Sequence, residues 1–253
     1  MFVGHYGVSF ASKRLSPGLS LGVLFLAVQL LDILFALFVL LGIEKMRIVH
    51  GFTAYNPYDL YWMPYSHSLL GAVLWSVVTA LLFLAAARRP RSRERRIAAA
   101  VLGGAVFSHF LLDLPMHTRD LPLGLDAASP KIGLGLWNHP LAAVAAELAV
   151  LAAGVAIYLR ATRAKNPRYA VATGVFVVIL VVLTVATRFM PDPPNETAFA
   201  IRALASYAML AVAAGFIDRG RRAPDRSHPR KLVIPRSAAT RDPFSSHAET
   251  GKG

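Results

Sequence analysis

The stretch Ile97–His117, IAAAVLGGAVFSHFLLDLPMH, decides how this chain is read. At about 1.5 Å of rise per residue it is long enough, as a helix, to cross a hydrocarbon core of roughly 30 Å. Three ionisable groups, His109, Asp113 and His117, interrupt it at a spacing of four. Residues four apart share a helix face and drift by about 40° per step, so the three form one stripe. Ionisable side chains inside such a run are costly, face the interior of a bundle and mark function by default. A His and a carboxylate one turn apart can reach a common ion, or can simply hydrogen-bond each other. The spacing alone admits both. Pro115 removes the hydrogen bond to the carbonyl of Leu111, which predicts a kink beside the stripe.

Outward from this run, five more apolar spans are expected: Leu19–Ile43, Ser66–Ala87, His139–Leu159, Tyr169–Arg188 and Thr197–Ile217. The chain is 55% hydrophobic and 16% charged over its 253 residues, against about a quarter charged in soluble domains. Strands left open in lipid cannot satisfy their backbone groups, so the spans read as helices. The first begins only after Leu19 and has no small-residue cleavage pattern behind it, so it reads as a retained span and not a signal peptide. The expected fold is therefore all-α: a polytopic membrane helix bundle of about six transmembrane helices over residues 1–217, with a short N-terminal helix. A basic, Pro/Arg-rich tail (218–253) is expected to be disordered.

The net charge of +13 sits almost wholly in three blocks, residues 88–96, 160–168 and the tail. Basic blocks between apolar spans mark cytoplasmic loops and do not point to nucleic acid. Alternating the basic connections with 44–65, 118–138 and 189–196 puts both termini on the cytoplasmic side of a multi-pass membrane protein. No internal repeat is evident. The absence of cysteine excludes disulfides, thiolate nucleophiles and sulfur-ligated zinc.

Beyond the opening stripe, ionisable groups fall inside spans at Asp32, Glu147 and Arg202. Counting from the cytoplasmic ends puts these three, His109 and Asp113 about 18–24 Å up, in one slab. His5 joins them if residues 2–14 fold back against the first span at the Ser16-Pro17-Gly18 break. Helix counting leaves His67 above the slab, unless its span begins deeper or Ser66-His67-Ser68 belongs to a loop folding inward. The bland readings are a hydrogen-bonded His109–Asp113 pair, an Asp32–Arg202 pair and a Glu147–Arg202 pair. His50 reads as a surface residue and His139 as a loop residue.

Gly4-His5, Asp32 closing its apolar run, "SHSLL" (66–70) and "SHFLLD" (108–113) resemble the bacterial family of predicted membrane-bound metal-dependent hydrolases. That family is distantly similar to zinc-dependent phospholipase C and to the single-strand-specific zinc nucleases. The resemblance covers roughly residues 1–120, and "DLPL" (120–123) with "GLGLWN" (133–138) extends it to about 150. It implies His5, Asp32, His67, His109 and Asp113 as metal ligands. The chain departs from the pattern where Ile33 follows Asp32, where Met63-Pro64-Tyr65 and Ser66 stand before His67, and where Glu147 lies eight residues after His139. One or two ions, not three, are expected.

Nitrogen and carboxylate donors without sulfur suit zinc, with manganese or iron(II) as alternatives. Asp32 or Asp113 would accept a proton, and Arg202 would hold an anionic group, with His117 and Glu147 around the centre. The expected substrate is an amphiphilic membrane lipid or lipid-like molecule with a phosphoester. A small-solute or proton-coupled transporter and a non-catalytic membrane scaffold remain open as rivals, because both also bury carboxylates and histidines.

Overall fold

In a computed structural model, residues 1–86 and 92–223 are described. They form a bundle of eight α-helices with three short two-stranded ribbons. Five helices are long and apolar enough to cross a membrane: α4 (Leu69–Ala86), α5 (Arg93–Met116), α6 (Pro140–Ala161), α7 (Pro167–Ala186, extended by a 3-10 turn to Phe189) and α8 (Glu196–Arg219). Their ends are written locally. Ser92, Asn166 and Asn195 each accept a hydrogen bond from a backbone N–H of the following first turn, and Pro140 and Pro167 open α6 and α7 where no N–H is needed. Outward-facing residues such as Leu82, Val178, Val182 and Met209 stay exposed, as lipid-facing side chains do.

The first expected span is not one helix. It breaks at Gln29 into α2 (Leu21–Val28) and α3 (Leu30–Leu40), bent by 56°. Gln29 is fully buried and leaves helical geometry at φ −99°, ψ 7°. Its Nε2 donates to the carbonyl of Phe2 at 3.3 Å. Before this break runs α1 (His5–Ser12), the expected short N-terminal helix, which packs into the bundle between α2, α5 and α6. That position needs two glycines. A Cβ on Gly7 would strike the Val150 carbonyl, and one on Gly154 would strike the Gly7 carbonyl, so backbone meets backbone. Tyr6, Phe10, Phe25 and Tyr158 fill the space around α1 with stacked and edge-on rings.

At one end of the bundle, Lys13 anchors α1. Its Nζ donates to Pro17 O, Leu19 O and Asp218 Oδ2, and Tyr158 Oη reaches Asp218 Oδ1. Asp218 thus belongs to the packed fold. The chain continues into β6 (Arg221–Arg222), paired with β5 (Arg163–Ala164). Ordered structure therefore runs past the expected start of the tail, and the disorder expected for the remainder concerns 224–253, outside the described residues. So does part of the basic block 88–96.

The opposite end carries the three non-basic connections. Residues 44–65, expected as a loop, contain an antiparallel ribbon of β1 (Lys45–Ile48) and β2 (Tyr58–Trp62). Residues 118–138 hold the shorter ribbon β3 (Leu121–Pro122) and β4 (Lys131–Ile132). Helix α5 runs unbroken through Pro115 to Met116, and His117 N–H bonds the Asp113 carbonyl at 2.9 Å.

Candidate metal centre

Each residue of the centre is placed by a local device. α5 presents His109 and Asp113 from one face, both buried. The break at Gln29 ends α2 at Val28, whose carbonyl takes a 2.7 Å hydrogen bond from His109 Nδ1. A carbonyl can only accept, so Nδ1 carries a proton, and in the neutral ring Nε2 keeps its lone pair. The same break puts Asp32 in the first turn of α3, the helix end that favours negative charge. Tyr207 of α8 donates to Asp32 Oδ2 at 3.1 Å, leaving Oδ1 for the centre.

His67 is brought in by a turn, not by a helix. Helix α4 begins only at Leu69, and residues 64–68 fold inward so that Ser66, His67 and Ser68 are all buried. Of the two ways His67 could reach the slab, the inward fold is the one observed. Ser66 Oγ donates to Glu44 Oε2 at 2.5 Å and accepts from His67 Nδ1 at 2.8 Å. Glu44 Oε1 also accepts the backbone N–H groups of Tyr65 and Ser66. Burial pushes the Glu44 carboxyl up, and the hydrogen bonds from Ser66 oppose that rise. The result fixes the ring and again turns Nε2 inward, the outer-sphere arrangement typical of metal-bound imidazole.

These atoms converge. His109 Nε2 lies 3.0 Å from Asp113 Oδ2 and 3.6 Å from Asp32 Oδ1. His67 Nε2 lies 3.2 Å from Asp32 Oδ1 and 3.8 Å from Asp113 Oδ2. His5 Nε2 is 3.2 Å from Asp113 Oδ1, and its ring stacks on His109 with centroids 3.9 Å apart. Two overlapping groups, His5–His109–Asp113 and Asp32–His67–His109, have their donor atoms within 4.8 Å of one another and could hold a metal ion. Two donors each about 2.1 Å from one ion stand roughly 3.0–4.2 Å apart. The observed nitrogen–oxygen separations fall in that window. The fit is sharpened by what is missing: His109 Nε2 and both His5 nitrogens are buried without a hydrogen-bond partner. His109 Nε2 and His5 Nε2 are close to carboxylate oxygens but not aligned to bond them.

His117 sits deeper than expected. Its Nε2 is 3.5 Å from Asp113 Oδ2, its Nδ1 is 3.0 Å from Asp120 Oδ1, and Trp137 packs against its ring. Glu147 stays out of the metal groups and does not pair with Arg202. Its carboxylate accepts the backbone N–H groups of Phe2 and Gly4 at 3.2 and 3.1 Å and the Tyr55 hydroxyl at 3.2 Å. It is therefore the clamp that holds the segment carrying His5. Met1 N lies 2.6 Å from Asp113 Oδ1. Arg202 is exposed and pairs neither with Asp32 nor with Glu147. His50 is exposed and meets Asp192 at 2.9 Å, and His139 is exposed at the start of α6.

A cavity of about 570 Å³ leads to the centre from the end bearing the non-basic connections. Asp32, His67, Asp113 and His117 lie along it, with Phe35 and Phe199 on its apolar wall and Tyr55, Arg188 and Arg202 farther out. Sequence reading missed Glu44, Asp120, Tyr207 and Arg188. Two of them had a signal: Asp120 follows His117 by three residues, and Arg188 is a lone cation closing an apolar span away from the basic blocks. No protein-family model, curated protein or solved structure matches the chain. The chemistry of the site therefore rests on its geometry.

Proposed function

We propose that this chain is a metal-dependent hydrolase of the bacterial inner membrane, acting on an amphiphilic, lipid-like phosphoester, as its resemblance to the predicted membrane-bound metal-dependent hydrolases implies. One observation carries the reading. Buried imidazole nitrogens of His5 and His109 face carboxylate oxygens at 3.0–3.2 Å without making hydrogen bonds to them. Neutral lone pairs set against carboxylates repel unless a cation lies between, and the donor set suits zinc, manganese or iron(II).

Such an ion supplies Lewis acidity and lowers the pKa of water toward neutrality. The protein does the rest. His109 and His67 are held by Val28 and Ser66 in the tautomer that leaves Nε2 free. Asp113, buried against the imidazoles of His5, His67, His109 and His117, is a ligand. Asp32 is more open to the cavity, with its side chain 19% exposed, so its Oδ1 is the better placed proton acceptor. Arg202 stands along the cavity to meet an anionic group. The basic ends of the helices face the cytoplasm, so the cavity opens toward the outer leaflet, where a lipid headgroup can enter.

The test is elemental analysis of the purified protein beside His109→Ala and Asp113→Asn. Wild type should retain close to one ion or more and both variants much less. Bound metal below about 0.2 per chain in wild type sinks the reading, since a prebuilt site of this kind binds its ion with folding free energy behind it. Release of phosphate or alcohol from a lipid phosphoester by metal-loaded protein, abolished by chelator, tests the hydrolytic half.

The break at Gln29 favours a second reading, a carrier, because discontinuous helices with charged residues at the break line many transport sites. Uptake of a solute into proteoliposomes, dependent on Asp32 and indifferent to chelator, would select it.

A further inference from the structure

The cavity wall carries two guanidinium groups that no carboxylate answers. Among the described residues neither Arg188 nor Arg202 has an acidic partner at ion-pair distance, whereas the acidic residues around them are engaged. Glu147 is filled by two backbone N–H groups and the Tyr55 hydroxyl. Asp192 is held by His50. Asp32 and Asp113 face the imidazoles.

Arg188 is the sharper of the two. Its guanidinium lies over the Tyr55 ring, 5.2 Å from the centroid. That cation–π contact holds the guanidinium beside the ring at the cavity wall. Its Nη1 is buried and has no hydrogen-bond partner. A buried charged donor without an acceptor in the protein is costly, and a ligand, an ion or water entering the cavity must complete it. Tyr55 in turn is held by Glu147, the residue that also clamps the His5 segment. The anion-facing arginine and the metal centre thus share one support.

We propose that Arg188, with Arg202, forms an anion subsite that binds the phosphate group of a lipid phosphomonoester while its apolar part lies against Phe35 and Phe199. This deepens the hydrolase reading and rests on it for the identity of the reacting group. The binding itself does not require metal. Two cations match a dianionic monoester better than the single charge of a phosphodiester, and the planar fork of Arg188 suits paired phosphate oxygens.

The test is a calorimetric titration of the protein in phosphatidylcholine nanodiscs, in the presence of chelator, with three probes: dihexanoyl phosphatidate, inorganic phosphate and dihexanoylglycerol. Phosphatidate should bind most tightly and the uncharged diacylglycerol only weakly. Arg188→Gln should weaken phosphatidate binding by about tenfold or more, as loss of a charge-assisted pair implies. Arg188→Lys should recover part of it, and Arg202→Gln should weaken it less. Because Arg188 makes no ion pair with a described residue, Arg188→Gln should stay folded, its unfolding midpoint lowered only by the small amount that loss of the Tyr55 contact brings.

Unaltered phosphatidate binding in folded Arg188→Gln overturns the subsite. Equal affinity for inorganic phosphate and phosphatidate overturns its lipid assignment. If both results hold as expected but metal-loaded protein releases no phosphate, the hydrolase reading fails and the binding site stands.

Discussion

Replacing Glu147 with alanine should detach the N-terminal segment from the centre without dismantling the bundle. The carboxylate accepts N–H groups from Phe2 and Gly4 at 3.2 and 3.1 Å, and it is 1% exposed. Removing it strands both donors in an apolar interior. A hydrogen bond to a charged acceptor contributes about 1.5–3 kcal/mol, and water entering the space left by the side chain recovers part of that, so about 2–4 kcal/mol is the expected loss. At about 1.4 kcal/mol per decade, the open population of residues 1–12 should rise roughly 30- to 1,000-fold. α1 contributes only His5 to the donor set, so Asp32, His67 and His109 should still hold an ion, with weaker affinity. The assay is hydrogen exchange by mass spectrometry on the nanodisc-embedded protein, comparing peptides from residues 1–12 with peptides from α5, alongside metal content. Faster exchange confined to the N-terminal segment, with reduced metal affinity, is the expected result. Glu147→Gln should fall between, since both N–H groups point at the same oxygen and a neutral amide oxygen there accepts them more weakly than a carboxylate. Unchanged exchange over residues 2–12 in Glu147→Ala would refute the clamp.

Ser66→Ala removes the hydroxyl between Glu44 and His67 Nδ1, and metal affinity should fall by about 10- to 100-fold in a chelator competition. Gly154→Ala drives a methyl into the Gly7 carbonyl; overpacking of this kind costs about 1–3 kcal/mol, visible as a lower unfolding midpoint together with reduced metal content. Lys13→Met leaves Asp218 buried without its cation and should destabilise by about 3–5 kcal/mol, whereas the double change Lys13→Met with Asp218→Leu should recover most of the loss in the same thermal scan.

The spans from α4 to α8 were legible because apolar length is a long-range signal that survives errors of a few residues at each end. The slab of ionisable groups was legible for the same reason, through His109, Asp113 and Asp32. The break at Gln29 was not, since a single amide in an apolar run carries no helix-breaking signal and its partner, the Phe2 carbonyl, lies far away in sequence. His67 escaped helix counting because a buried turn, tied down by Glu44, has no periodicity. From the sequence His117, past Pro115, reads as a residue near the mouth of the site. The connection after it folds back instead: Leu134 N–H bonds Leu114 O and Gly135 N–H bonds His117 O. Gly133, at φ +153°, passes so close to the Thr118 carbonyl that any Cβ would strike it. These glycines bury His117 beneath Trp137, an effect that no local pattern encodes.

The two ends of the bundle bear on the choice between hydrolase and carrier. A carrier must open its site to each side in turn. Here the cavity reaches Asp32, His67 and Asp113 from the end bearing the non-basic connections. Toward the other end lie α1 and its aromatic packing of Tyr6, Phe10, Phe25 and Tyr158, closed by Lys13 on Asp218 and two carbonyls. Opening that side would separate a buried ion pair and part Gly7 from Gly154, where the backbones already touch. The bent α2–α3 pair has a use that needs no such motion: its break supplies the Val28 carbonyl to His109 and sets Asp32 at a helix N-terminus. One-sided access suits the proposed chemistry on an entering headgroup, and chelator-independent uptake that depends on Asp32 is the result that would select the carrier instead.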